Sequence, residues 1–244
     1  MSRVKTILLW ILAVVAVGYV AGVAVWSAER ANTHVCQSVE ITITDLAQRQ
    51  YVTEAELVSL LMAKKLYPVG QTASAVAVQQ IENTVASHPM VREAQCYVLP
   101  SGTVCLRLSQ RIPVLRIVTG DESYFVDSER TKMPIREAVT TPVMVASGDI
   151  GERMACGELA DLALWIADNK YWSEKIQSIR VTNPKTVYLV QRPDGTHIIL
   201  GEVSGYRNKM RKLRTLYDKG FDEIGWQTYR EIDLRFNGQV VGRN

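Results

Sequence analysis

From Ile7 to Trp26 the chain carries no charged residue, and this run limits the possible folds more than any other feature. At a helical rise of about 1.5 Å per residue it spans roughly 30 Å, the thickness of a bilayer's hydrocarbon core. Eleven of its residues are Leu, Ile or Val, each favouring insertion by roughly 0.3 to 0.6 kcal/mol. Arg3 and Lys5 precede the run, whereas Glu29 and Arg30 behind it nearly cancel. Positive charge stays on the cytoplasmic side, so residues 1–6 are expected to be a cytoplasmic tail and Ala28 onward to be exported. Trp10 and Trp26 stand near the two ends, where amphipathic rings sit at the interface. A cleaved signal peptide is the competing reading, with a shorter apolar stretch and a small-x-small cleavage site. Trp26 falls where the site after Ala28 needs a small side chain, so the expectation is an uncleaved transmembrane helix over 7–26. Gly18 and Gly22 have a spacing that permits close helix contact but is also common on lipid-facing helices.

The remainder reads as ordinary folded protein. Charged residues make up 22% of the chain and hydrophobic ones 47%, enough to bury real cores in one or two domains. A net charge of +3 is too small to argue for nucleic acid. Cys36, Cys96, Cys105 and Cys156 are widely scattered and form no C-x-x-C pair, which argues against zinc. An exported domain permits disulfides, and spacing alone assigns none.

After a polar connector over 27–38, Val39, Ile41 and Ile43 alternate with polar neighbours, the period of a half-buried strand. Thr53 to Glu56 fits the T-x-x-E capping box and opens a helix running to about Lys65, with Leu57, Leu60 and Leu61 on one face. A second helix is expected from near Ser74, turning Val78, Ile81 and Val85 inward and stopping before Pro89. Leu99-Pro100-Ser101-Gly102-Thr103 then suits a type I turn followed by a left-handed glycine. That loop aligns Cys96 with Leu106 and Val98 with Val104. Cys96 would face inward and Cys105 outward, unbonded to each other, with Cys105 the more reactive towards a thiol reagent.

From Pro113 strand signals dominate. Leu159, Leu162, Trp165 and Ile166 have the spacing of a helix lying on a sheet, and Ile176, Ile179 and Val181 follow as a strand. Lys185–Arg192 and Thr196–Leu200 read as a second hairpin around Pro193-Asp194-Gly195, with turn chemistry like the first. A helix is expected from Tyr206 to Lys219, with Gly220 as its left-handed stop.

Strand, helix, helix, strand, strand directly after a membrane anchor resembles a POTRA domain, a small module of protein–protein contact. His88-Pro89-Met90-Val91, then Val98-Leu99-Pro100, then Arg111-Ile112-Pro113 are similar to a signature of the bacterial cell-division family FtsQ, also called DivIB. Met90 stands where that family has tryptophan, and Gln110 where it has glutamate. Tyr124-Phe125-Val126-Asp127 followed by Met133-Pro134 resembles the family's Y-Y-V-D-x-x-G … P segment, with Arg130 in place of the glycine. Ile232-Asp233-Leu234-Arg235-Phe236-Asn237-Gly238-Gln239-Val240-Val241 resembles its closing strand pair, V-D-L-R-Y-x-x-G-x-A-V. The resemblance covers nearly the whole chain in order. It implies an α+β protein with a POTRA domain over 39–112 and a mostly β domain with packed helices over 113–244. It also implies a non-catalytic scaffold of the septal inner membrane, its bulk periplasmic, binding FtsB- and FtsL-like bitopic proteins. Arg235, Phe236, Gln239 and Val240 match the positions around which the family engages its partner, with Phe236 the apolar anchor. The chain stops at Arg243-Asn244, without the aromatic residue often found beyond that strand.

No convergent catalytic group stands out. His34, His88 and His197 have no partner at metal-ligand spacing, and no nucleophile elbow, P-loop or HExxH is present. Asp127 and Asp194 could form an acid/base pair, but they read better as a strand end and a turn. No cofactor, small-molecule substrate or nucleic acid is expected. On the 206–219 helix, Tyr206, Met210, Leu213, Leu216 and Tyr217 mark the inward face. Arg207, Lys209, Arg211, Lys212 and Arg214 then form either a solvated surface or a landing site for an acidic partner or lipid, with Arg211 and Arg214 the candidate contacts. Two other protein classes fit the same organisation: a POTRA-bearing assembly or secretion factor, and a membrane-anchored cell-wall enzyme.

Overall fold

The computed structural model describes residues 10, 12–23, 35–45, 50–120, 122–136, 141–183, 186–219 and 229–243. Residues 12–23 are helical, and Leu12, Val14, Val15, Val17, Tyr19, Val20 and Val23 are exposed. Among the described residues no helix is long and apolar enough to cross a membrane. Both ends of the expected span, and Gly220, lie outside the described residues. The chain divides into two compact units, Met1–Gln110 and Arg111–Asn244.

In the first unit β1 (Ser38–Ile43), α1 (Glu54–Ala63), α2 (Val78–Ala86), β2 (Val91–Val98) and β3 (Thr103–Gln110) follow in order. The sheet order is β1-β3-β2, with β1 parallel and β2 antiparallel to β3. α1 begins on its capping box: the Thr53 hydroxyl accepts from Glu56 N–H, and the Glu56 carboxylate accepts from Thr53 N–H. Together these satisfy two N–H groups that a helix start leaves open. α2 starts later than the spacing suggests. Ala73–Ala75 form a 3₁₀ turn, Val76 and Ala77 are non-helical, and the helix opens at Val78. The Ile81 and Val85 side chains still turn into the core.

The hairpin has the expected register, with Cys96 opposite Leu106 and Val98 opposite Val104, and Gly102 is left-handed at φ 84°. Cys105 corrects the expectation of exposure. It lies on the opposite face from Cys96, yet both are buried, because β3 is the central strand and Cys105 is flanked by Tyr97 and Glu40. Long neighbours close over a small side chain. All four cysteines are free, and burial raises the Cys96 thiol to about 11, with the Glu82 and Cys105 charges adding to it. Only Cys156 is partly accessible, so a bulky, membrane-impermeant maleimide should label it first. Cys36, Cys96 and Cys105 should react after unfolding, and rapid native labelling of Cys105 would contradict this packing.

Gln110, at the end of β3, stands where the resembling family has glutamate. Its buried Oε1 accepts from the backbone N–H groups of Tyr51 (2.6 Å) and Val52 (3.0 Å), tying the start of α1 to the sheet. Gln110→Ala removes the acceptor that these two amides share. An expected loss of about 2 kcal/mol follows from the cost of unpaired buried donors, readable by urea unfolding. Gln110→Glu keeps the acceptors and should lose less.

The second unit holds β4 (Pro113–Thr119), β5 (Glu122–Asp127), β6 (Lys132–Pro134), β7 (Met144–Gly148), α3 (Ala160–Asp168), α4 (Lys170–Lys175), β8 (Ile176–Asn183), β9 (Thr186–Gln191), β10 (His197–Gly201), α5 (Tyr206–Lys219), β11 (Glu231–Asp233) and β12 (Val241–Arg243). Among the described residues these strands make one mixed sheet, β12-β11-β10-β9-β8-β7-β4-β5-β6. Leu159, Leu162 and Ile166 from the α3 region and Met210, Leu213 and Tyr217 from α5 join Leu115, Ile179, Leu189 and Ile198 in its core.

Arg111 belongs to this unit. Its guanidinium lies 2.7 Å from the buried carboxylate of Asp127, whose other oxygen accepts from Glu129 and Thr131 N–H. Asp127 therefore organises the β5–β6 turn. Arg130, where the resembling family has glycine, is left-handed at φ 66° and pairs with Asp161 at 2.8 Å. The second hairpin departs from the first. Gly195 is left-handed at φ 75°, but the loop closes from Gln191 to Thr196 and contains a cis Arg192–Pro193 bond.

Candidate partner-binding edge

The closing segment Ile232–Val241 is split by its environment. Ile232, Asp233 and Leu234 are buried, and the residues that follow come out to the surface. β11 runs parallel to β10 and antiparallel to β12, which ends the described sheet. Between β11 and β12 the chain makes a long excursion over 234–240, turning at Gly238 with φ 77°. Arg235, Phe236, Gln239 and Val240 all lie on it; the first three are exposed, whereas Val240 is partly buried against the core, and Arg211 and Arg214 lie on α5 instead. Phe236 is 41% exposed, one of the large apolar side chains at the surface of this unit.

Asp233, fully buried, is the centre of this region. Its carboxylate accepts from Arg235 Nη2 at 2.7 Å and Nε at 3.0 Å, and from the Arg235 backbone N–H at 3.1 Å; Arg243 Nη2 is 3.6 Å away. The hydrogen bonds from Arg235 hold the Asp233 carboxyl below the usual carboxylate range, against the opposing pull of burial. The Arg235 stem crosses Gly201, which is left-handed at φ 71°; a Cβ there would meet Arg235 Cγ at 2.7 Å. Similarly, a Cβ on Gly242 would meet the Tyr229 ring at 2.6 Å. Arg235 thus has an internal role as well as a half-exposed guanidinium, a role its position in a sequence pattern does not reveal.

The basic face of α5 is less free than its sequence suggests. Lys209 Nζ donates to Glu202 O at 2.6 Å, and partial burial lowers its pKa. Lys212 Nζ donates to Leu234 O at 3.2 Å and Phe236 O at 2.6 Å. Arg207 contacts the Tyr206 hydroxyl, and Arg214 pairs with Asp218 while lying 4.1 Å from the centre of the Tyr171 ring. Arg211 is exposed with no side-chain partner among the described residues. Sequence reasoning missed Lys212 as a distinct residue; a cation on the amphipathic face gives no sign of which carbonyls it will meet.

The residues weighed as catalytic have other occupations. Asp194 accepts from Thr196 in its own turn, His88 Nδ1 accepts from Met90 N–H, and the His197 ring lies beside Tyr188. His34 lies outside the described residues. Among the described residues no group of His, Cys, Asp and Glu is placed to hold a metal ion.

The chain is a POTRA-bearing protein: the three-stranded α/β module is followed by a separate mixed sheet that ends, among the described residues, at β12, and a POTRA-like domain model matches residues 34–109. A second family model, described as FtsQ/DivIB, C-terminal related, matches residues 112–243. The chain belongs to the FtsQ/DivIB family of cell-division proteins. It is 27% identical over 189 residues to the cell division protein FtsQ of Salinibacter ruber, covering 71% of this chain and 72% of that protein.

Proposed function

We propose that this chain is a non-catalytic scaffold of the division machinery that binds FtsB- and FtsL-type bitopic proteins at the free edge of β12. The carrying observation is that Arg235, Phe236 and Gln239 stand exposed, with Val240 partly buried beside them, on the loop leading into β12, the last strand of the described sheet. Such a strand offers unpaired N–H and C=O groups, so a partner strand can extend the sheet with Phe236 as a side-chain anchor. Two other candidate edges, β6 and β2, are less inviting. β6 is three residues long and carries Lys132 and Pro134, both typical of a protected edge. In the first unit, the Cys96 N–H on β2 is already taken by Glu82 Oε2 at 3.0 Å.

In the same reading, residues 1–6 are a cytoplasmic tail, 7–26 span the inner membrane, and the two units work in the periplasm at the septum; the connector is shorter than 27–38, because Val35 bridges Thr72, Cys36 is buried and Ser38 opens β1. The first unit stands for the expected POTRA domain and ends at Gln110 rather than Ile112; Arg111 and Ile112 go with the second, since the Arg111 guanidinium pairs with Asp127. Depletion in the source bacterium should give filamentous cells. Loss of outer-membrane proteins without filamentation would favour the assembly factor instead, and altered wall chemistry an enzyme. For topology, a reporter active only outside the cytoplasm, fused after Asn244, should be active. A silent reporter there, with a cytoplasmic one active, would reject the orientation.

A further inference from the structure

The β11–β12 pair is too small to hold itself. Each strand has three residues, and the pair closes a loop over 234–240 with no regular structure of its own. An isolated hairpin of that size is marginal in water, and ordering each loop residue costs about 1–2 kcal/mol of backbone entropy. Something outside the hairpin has to fasten it.

β11 is paired with β10, and Leu234 N–H donates to Ile199 O at 2.9 Å; beyond these main-chain bonds, two side-chain fasteners act on the start of the loop. One is local: the Asp233–Arg235 fork, seated across Gly201. The other comes from α5, whose position is fixed by the buried Met210, Leu213 and Tyr217. From that rigid helix Lys212 reaches the carbonyls of Leu234 and Phe236, 22 and 24 residues further along the chain. Those carbonyls bracket Arg235 and immediately precede the exposed run to Gln239. An ammonium with three donors can hold two carbonyls at once, and hydrogen bonds from a charged donor are the stronger kind.

We infer that Lys212 is a positioning residue for partner binding: it clamps the 234–236 backbone so that Phe236 and β12 are presented in order before a partner arrives. This rests on the strand-edge reading above. Without the clamp, part of the binding free energy would go into ordering the loop, and affinity would fall although no contact residue had changed. The clamp also separates the roles of the basic face, with Lys212 holding the site's backbone while Arg211 remains outward.

The test uses the full chain in detergent or nanodiscs, with Lys212→Met, which keeps the aliphatic stem, and Lys212→Arg, which keeps donors for the carbonyls. Hydrogen exchange is read over 234–243 without partner, with peptides from β8 and β9 as internal control. Lys212→Met should exchange about tenfold faster over 234–243, the size expected for losing a charged-donor hydrogen bond, with β8 and β9 unchanged and Lys212→Arg close to the parent. Exchange over 234–243 that is unchanged in Lys212→Met overturns the clamp. The same proteins are titrated with the extracytoplasmic segment of the FtsB-type protein from the same bacterium. Affinity about tenfold weaker in Lys212→Met, restored in Lys212→Arg, supports the positioning role. Faster exchange with unchanged affinity overturns that role. Failure of the parent chain itself to bind sinks the strand-edge reading, whereas the exchange result still decides whether the clamp exists.

Discussion

Replacing Phe236 with alanine should weaken binding of the partner segment about thirtyfold, near 2 kcal/mol, while leaving the fold intact. The two halves of that expectation have separate grounds. Phe236 is 41% exposed and absent from the buried core, so removing its ring opens no cavity. Its backbone carbonyl, held by Lys212, is unaffected by the substitution. At an interface the same ring would be covered, and buried aromatic anchors dominate interface energetics. Titration of the folded variant decides. An unchanged affinity would remove the β12 edge as the site and direct attention to the first unit. Arg211→Glu should act differently, slowing association in a salt-dependent way, since a rim charge steers encounter more than it holds the complex. Arg214→Glu should add a local structural effect through its contacts with Tyr171 and Asp218.

Asp233→Ala should cost about 2 kcal/mol of stability and loosen the edge as well. Removing one partner of a buried ion pair typically costs about 3–5 kcal/mol. Arg235 is half in water and can rehydrate, which lowers the figure. Urea unfolding measures it, and a loss below about 0.5 kcal/mol would show that the fork contributes little. The pH dependence follows from the depressed carboxyl of Asp233. In the unfolded chain this group takes up its proton near the ordinary value of about 3.9. Folded, it resists protonation to lower pH, so the unfolded state binds more protons in between. Its contribution is complete above the ordinary value and is lost as pH falls through the folded one. Asp233→Asn should therefore flatten the acid limb of a stability-versus-pH curve in that window and leave its slope near neutrality unchanged.

Much of the fold can be read in the chain because it is decided over a few residues. The capping box at Thr53 and Glu56, the left-handed Gly102, the Cys96–Leu106 register and the bounds of the 206–219 helix each depend on neighbours within a turn or a hairpin. The α2 start differs from the expected one for a similarly local reason: Thr72 and Ser74 resemble helix caps, but the segment forms a 3₁₀ turn there. At Arg130, where the family has glycine, the backbone is left-handed in a turn whose Glu129 and Thr131 N–H groups both donate to Asp127.

By itself the sequence determined the order of elements, the inward faces, the family and the four loop positions expected to meet a partner. Each of these is written in local spacing or in a linear motif. Only the tertiary structure decided that Cys105 is covered, since period two assigns a side chain to a face without saying what lies over that face. It alone also decided which cations of α5 are engaged. Lys212 and Arg211 are adjacent in sequence and equally basic, but one meets two carbonyls more than twenty residues away and the other faces solvent. Contacts of that separation arise from how α5 packs beside the end of β11, and no pattern within either segment encodes the meeting.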